Sequence, residues 1–233
     1  MSRVFKQLAC LLNNPTKFFN TQKDLIKDAF QSRCSENEKN LFHSTKSLSK
    51  ARKVSVENGW KFVMIVREPL ERFVSGYVYT CLRGRLVGCT RYCNGCGANL
   101  TCFIERHENN LEKMIKIGKG SFGTNHLYPQ SWTCNLRTEI KKYTFLRYNT
   151  NSQEFFDQQL GPFLQSRNTS TQVFSYIRQS MTSARTKHSN TNFKLAEFLE
   201  NRIKSSPYLL EKFIQMYYHD YKLFNYTLPN LIA

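Results

Sequence analysis

The chain has 233 residues, 40% of them hydrophobic, with 34 Lys and Arg against 17 Asp and Glu and a formal net charge of +17. That length allows one domain, or one with a small appendage, and a core of its own. The charge points to a polyanionic partner (nucleic acid, an acidic membrane surface, a nucleotide donor or an acidic glycan), and no apolar run is long enough to span a membrane.

In chain order, Ser2 to Leu12 reads as an amphipathic helix, because Val4, Leu8, Leu11 and Leu12 fall on one face. Ser2 is its candidate cap, and Asn13-Asn14-Pro15 ends it. The apolar stretch after Ala9 is too short for a signal peptide. Thr16 to Ser32 is a second, less apolar helix. Residues 34–60 are polar and rich in Ser, Lys and Asn, and read as loop.

The stretch Lys61–Tyr77, KFVMIVREPLERFVSGY, organises the rest of the chain. Phe62-Val63-Met64-Ile65-Val66 is short and β-branched, the pattern of a buried, parallel strand. Arg67 comes directly after it. Pro69 suits the first turn of a helix, where its missing N–H costs nothing. That helix runs from Pro69 towards Leu82, with Leu70, Phe73, Val74 and Tyr77 facing inwards. Arg67 therefore sits at the carboxyl end of a strand and the mouth of a helix, where open α/β sheets bind ligands. Ser75, two turns on, can turn its hydroxyl towards the same anion. The plain alternative is a strand–turn–helix with a capping arginine.

Residues 83–102 form a cysteine-rich insertion. Of eight cysteines, five cluster as Cys81, Cys89, Cys93, Cys96 and Cys102. Cys93 and Cys96 have a zinc-ligand spacing, but no second pair completes a site, so disulfides are the stronger reading and no metal is expected. With sequons at Asn99, Asn168 and Asn225, the cysteines favour an oxidising lumen. Asn99 to Ile117 is helical, with Phe103, Leu111, Met114 and Ile115 apolar. Gly118-Lys119-Gly120-Ser121 breaks it, and this turn lacks the strand and spacing of a phosphate loop. Tyr143–Tyr148 is another strand. Thr182 to Asn192 is basic, without an apolar face, and reads as loop. Ser206 caps and Pro207 opens a closing helix, Ser206 to Phe224, with Leu210, Phe213, Tyr217 and Phe224 as its apolar stripe.

Arg67-Glu68-Pro69-Leu70-Glu71-Arg72-Phe73-Val74-Ser75-Gly76-Tyr77 resembles the 3′-phosphate-binding segment of Golgi carbohydrate sulfotransferases, of the branch with the chondroitin, dermatan and HNK-1 enzymes. His126, Pro129 and Gln130 match an H-x-x-P-Q segment that the family carries in its acceptor cleft, and Cys134 matches the cysteine after it. The closing helix resembles the family's in Tyr217, Asp220, Phe224 and Tyr226, where its role is packing. In relatives the strand corresponding to Tyr143–Tyr148 is followed by a helix with an acidic and apolar pattern, which Glu154 to Leu164 fits. The resemblance covers most of Ser2 to Asn225. It implies an α/β, P-loop-like sulfotransferase fold over 1–233 as a single domain: a parallel sheet flanked by helices, a cysteine-rich insertion and a helical C-terminus.

The resemblance also implies a donor, 3′-phosphoadenylyl sulfate (PAPS), an acidic glycan acceptor of glycosaminoglycan type, and residence in the Golgi lumen or membrane. Arg67 and Ser75 would then hold the 3′-phosphate, and His126 would be the base. Ser2 matches the hydroxyl residue of the family's 5′-phosphosulfate loop, and Arg3 stands beside it. Arg185 and Lys187 lie on the basic loop that closes over the nucleotide in relatives. The family places a strand and a lysine-bearing loop before its first helix, whereas here Met1-Ser2-Arg3 stands where that loop ends. A truncated enzyme, or a relative that binds PAPS or glycans without turnover, is therefore the expectation. A basic nucleic-acid-binding module is disfavoured, since no zinc-finger, RRM or homeodomain pattern occurs.

Overall fold

A computed structural model describes residues 2–22, 24–28, 48–50, 59–82, 93–117, 127–183 and 193–232. Its longer elements, in chain order, are α1 (Ser2–Asn13), α2 (Pro15–Asn20), β1 (Phe62–Arg67), α3 (Pro69–Tyr77), α4 (Leu100–Ile117), α5 (Leu136–Glu139), β2 (Tyr143–Tyr148), α6 (Ser152–Phe155), α7 (Gly161–Gln165), α8 (Thr171–Ser183), α9 (Phe193–Lys204) and α10 (Pro207–Leu223). The two strands pair as a parallel two-stranded sheet, flanked by helices. The chain falls into two compact units, Met1–Ile65 with Lys142–Ser189, and Val66–Lys141 with Asn190–Ala233.

The first unit is built on α1, most of β1, β2 and α6 to α8. The apolar face read from the sequence of α1 is the one that packs: Val4, Leu8 and Leu11 are buried, whereas Leu12 is exposed. They join Phe18, Leu25, Leu146, Phe155, Phe156, Ile177 and Met181 in one core. Val63 and Ile65 of β1 lie against it, and Phe62 meets Tyr143 of the neighbouring strand with ring centres 5.7 Å apart. α2 is shorter than the expected Thr16–Ser32 helix. It starts on Pro15, with the Asn14 side chain accepting from the Lys17 amide, and stops at Asn20. Gln22 takes a left-handed backbone that ends the run, and the Asp24 carboxylate starts a separate turn by accepting from the Ile26 and Lys27 amides, with Leu25 and Ile26 buried.

The predicted Glu154–Leu164 helix exists, but a π turn at Phe156–Leu160 joins α6 to α7. Gly161 follows that turn because a Cβ there would lie 2.9 Å from the Phe156 carbonyl. A bulky residue would force the wide turn apart.

The second unit holds α3, α4, α9 and α10. Phe73 is its hub: the ring is fully buried and meets Phe103, His107, Phe213 and Tyr217 at centre distances of 5.5–6.0 Å. α3 buries Leu70, Phe73, Val74 and Tyr77, the face expected from the sequence, and continues as a π turn through Leu82. α4 buries Phe103 and Leu111 as expected, but Ile115 is 69% exposed because the last turn of this helix leaves the core. Cys81–Cys93 and Cys96–Cys102 are disulfides. The zinc reading of Cys93 and Cys96 fails on that chemistry, since a sulfur in a disulfide is no thiolate ligand. Among the described residues no cluster of His, Cys, Asp and Glu could hold a metal ion.

α10 begins as the sequence indicates. Pro207 is in its first turn and the Ser206 hydroxyl accepts from the Leu209 amide at 3.4 Å. Ser206→Ala is expected to lower stability by about 1 kcal/mol, read by urea denaturation, with nucleotide binding unchanged.

Candidate donor and acceptor site

The site is built inside the second unit, from the junction of β1 and α3 upward. Val66 is fully buried and pins the end of the strand. The chain turns at Glu68, whose extended backbone and side chain cap α3: the Glu71 amide donates to its carboxylate at 2.6 Å. Arg67 is left at the mouth of the helix with its side chain 24% exposed. Its Nε donates to Glu71 Oε2 at 3.2 Å, one helical turn on. Ser75, half-buried, lies one further turn along. Glu71 and Ser75, one turn apart, share one side of the helix, and Arg67 stands at the strand end before it.

A second segment is held against this junction. The Gln130 side-chain oxygen accepts from the Arg67 amide at 3.1 Å. Gln130 is itself fixed from α10: Asp220, 1% exposed, accepts from the Gln130 amide at 2.6 Å and from the Ser131 amide at 2.8 Å. Two backbone donors on two carboxylate oxygens satisfy a buried charge that would otherwise be costly. Just upstream, Tyr217 donates to the Leu127 carbonyl at 2.5 Å, and the Arg72 guanidinium donates to the Tyr128 carbonyl. Every residue from Leu127 to Ser131 except Pro129 is thereby tied, through backbone or side chain, to α3 or α10.

The electrostatics follow from burial. Burial lowers the Arg72 pKa, against the attraction of Tyr217 and Asp220. His107, buried beneath, is pushed down to about 4, first by loss of solvent and then by the nearby Arg72 charge. It is neutral at physiological pH. Because Tyr217 spends its proton on Leu127, His107 Nε2 must donate to the Tyr217 oxygen at 3.0 Å. Burial likewise raises the Tyr217 and Tyr221 hydroxyls far above their ordinary value, and Tyr221 donates to the Glu68 carboxylate. Glu200 on α9 is raised by burial and then by Glu71. Arg67 therefore meets a mixed-charge shell, in which Glu71 holds its guanidinium in place.

The sequence-predicted residues divide accordingly. Arg67 ends β1 and Ser75 lies within α3, and Gln130 of the H-x-x-P-Q segment lies against Arg67. Ser2 and Arg3 form the first turn of α1, in the other unit. His126, Arg185 and Lys187 fall outside the described residues. Sequence reasoning missed Asp220, Tyr217 and Tyr221, having given the closing helix packing alone. One signal was available. Phe213, Tyr217, Asp220 and Phe224 share a helical face, so an aspartate sat in an apolar stripe and needed buried partners.

The chain has relatives among known proteins. The family model described as "Sulfotransferase family" matches residues 1–227. The uncharacterized protein C18B2.2 of Caenorhabditis elegans is 32% identical over 232 residues, 98% of this chain and 65% of that protein. The putative sulfotransferase vep-2 of the same organism is 30% identical over 87% of this chain and 63% of its own length. Carbohydrate sulfotransferase chst-1, also from C. elegans, is 21% identical over 97% of this chain and 70% of its own. The chain thus spans slightly less than two thirds of the length of the first two. No solved structure matches it.

Proposed function

Because the chain belongs to the sulfotransferase family, we propose that it transfers sulfate from PAPS to a hydroxyl of a glycan, of chondroitin type. The observation that carries this reading is the strand-end Arg67, held by Glu71 and backed by the Gln130 segment. Arg67 and Ser75 fit a 3′-phosphate: a guanidinium at a strand's carboxyl end and a hydroxyl on the helix that follows it could supply charge-assisted bonds to its oxygens. Ser2 and Arg3 are assigned to the 5′-phosphosulfate, where a helix N-terminus favours an anion. Arg185 and Lys187 are assigned to the bisphosphate or to an acidic glycan.

Chemically, the sugar oxygen attacks sulfur in line. The new O–S bond forms as the bond from sulfur to the nucleotide's phosphate oxygen breaks, and 3′,5′-ADP leaves. His126 takes the hydroxyl proton, work that suits a histidine near neutral pKa. Positioning and charge stabilisation supply most of the catalysis, as in phosphoryl transfer. The similarity to chst-1 supports a glycan acceptor. Disulfides and exposed sequon asparagines, Asn99, Asn168 and Asn225, support a Golgi lumen. No helix among the described residues is long and apolar enough to cross a membrane.

The second reading is a relative that binds PAPS or glycan without turnover. Two measurements separate them. Calorimetry should show tighter binding of 3′,5′-ADP than of 5′-AMP, which lacks the 3′-phosphate; equal affinity, or none, would sink the donor assignment. Sulfate transfer from PAPS to desulfated chondroitin tests turnover. His126→Ala is expected to reduce kcat by about 100-fold or more while nucleotide affinity holds, and a fully active variant removes His126 as base.

A further inference from the structure

We propose that Asp220 is a positioning residue for the donor arginine, acting through Gln130, an inference that rests on the proposed donor site. The chain of contacts is short and buried. Asp220 clamps the Gln130 and Ser131 amides at 2.6 and 2.8 Å. The Gln130 side chain then holds the Arg67 amide at 3.1 Å. That amide belongs to the last residue of β1, where the chain turns into α3, so its direction sets where the guanidinium starts. Tyr221, next to Asp220 on α10, holds the carboxylate of Glu68, the next residue. A single turn of α10 thus grips both residues of the strand–helix junction, one directly and one through the Gln130 segment.

This arrangement gives α10 work beyond packing. It also couples the two motifs: the segment following His126 cannot shift without pulling on Gln130, and so on Arg67. A carboxylate is needed at position 220 because both facing groups are N–H donors. An amide there offers one oxygen and turns its NH2 against the second donor. Groups that orient a binding residue from behind affect it by about 10–100-fold when removed.

The test uses the whole chain. Asp220→Asn and Gln130→Ala are each expected to weaken 3′,5′-ADP binding by about tenfold. In NMR spectra without ligand, the Arg67 amide proton should move upfield in both variants as its hydrogen bond weakens. The double variant should be no worse than Gln130→Ala alone, because the two act in series. Leu209→Ala, at the far end of α10 and buried in the core, is the control: it should lower Tm while leaving the affinity and the Arg67 resonance in place. If Asp220→Asn fails to fold, Gln130→Ala carries the same readouts. Unchanged affinity with an unmoved Arg67 resonance overturns the proposal. So does an affinity loss in Leu209→Ala equal to that in Asp220→Asn. Wild type that binds no 3′,5′-ADP overturns the donor reading instead, and the Arg67 resonance then decides the mechanical link by itself.

Discussion

Arg67→Ala is expected to raise the Kd for 3′,5′-ADP by about 100-fold, measured by calorimetry at fixed ionic strength. A hydrogen bond to a charged group contributes about 1.5–3 kcal/mol, and tenfold in affinity is about 1.4, so losing a guanidinium that makes more than one such bond amounts to about two decades. The neighbour enlarges the effect. Glu71 is held by Arg67 at 3.2 Å; without the arginine its carboxylate stands beside the phosphate uncompensated. Arg67→Lys should recover part of the loss, keeping charge but not the planar fork. Stability should change little, because a partly exposed i,i+4 pair contributes roughly 0.3–0.5 kcal/mol. A variant that unfolds has lost affinity for another reason, so Tm is measured alongside. Equal Kd in Arg67→Ala and wild type would remove Arg67 from the donor site.

How much of the fold is legible in the sequence depends on how local the cause is. The Pro69 start of α3, the Ser206 cap and the apolar faces of α1 and α10 are set by neighbours within a turn or two, and the sequence shows them. The π turns at Val78–Leu82 and Phe156–Leu160 are invisible there, because a widened turn answers to the side chains packed around it. The length of α2 is overread, because a left-handed residue at Gln22 and the Asp24-capped turn after it break a run whose apolar residues are buried all the same. α8 and α9 are not picked out, although Val173, Ile177, Ser180 and Met181 of α8 recur at the helical spacing that reveals α1.

The site shows the same divide. Arg67 and Ser75 are eight residues apart and readable as a pair. Asp220 is 90 residues from Gln130 and 89 from Ser131, and only the fold brings them together. What the sequence does offer is an anomaly, a carboxylate on the buried face of α10. Such a group implies partners without naming them. Backbone N–H groups are the partners here, and amides carry no residue-type signal. That is why an aspartate tied to two amides escapes a reading that finds the arginine.

Lowering the pH from 6.5 to 4 is expected to cost the second unit about 3 kcal/mol through His107 alone. The folded-state pKa is pushed down to about 4, chiefly by burial and further by Arg72, against the Leu127 backbone, which raises it. In the unfolded chain the imidazole titrates at its ordinary 6.5. Between those values the unfolded state binds a proton that the folded state refuses, so stability rises with pH at about 1.4 kcal/mol per unit across that window. The contribution is whole above 6.5, is lost progressively as pH falls, and is flat below about 4. Protonation is resisted because Nδ1 is buried without a hydrogen-bond partner among the described residues, so a second N–H would be an orphan donor on a buried cation. His107→Gln separates this from every other titration in the molecule. The glutamine amide can still donate to the Tyr217 oxygen, and it cannot take up a proton. Urea denaturation of both proteins at pH 7 and pH 4.5 gives the comparison: the variant should lose less stability on acidification, by about 2–3 kcal/mol. The remaining histidines and carboxylates act equally in both chains and cancel. An identical pH dependence in the two proteins would mean that His107 is solvated, and that the Tyr217 clamp on Leu127 is not sealed from water.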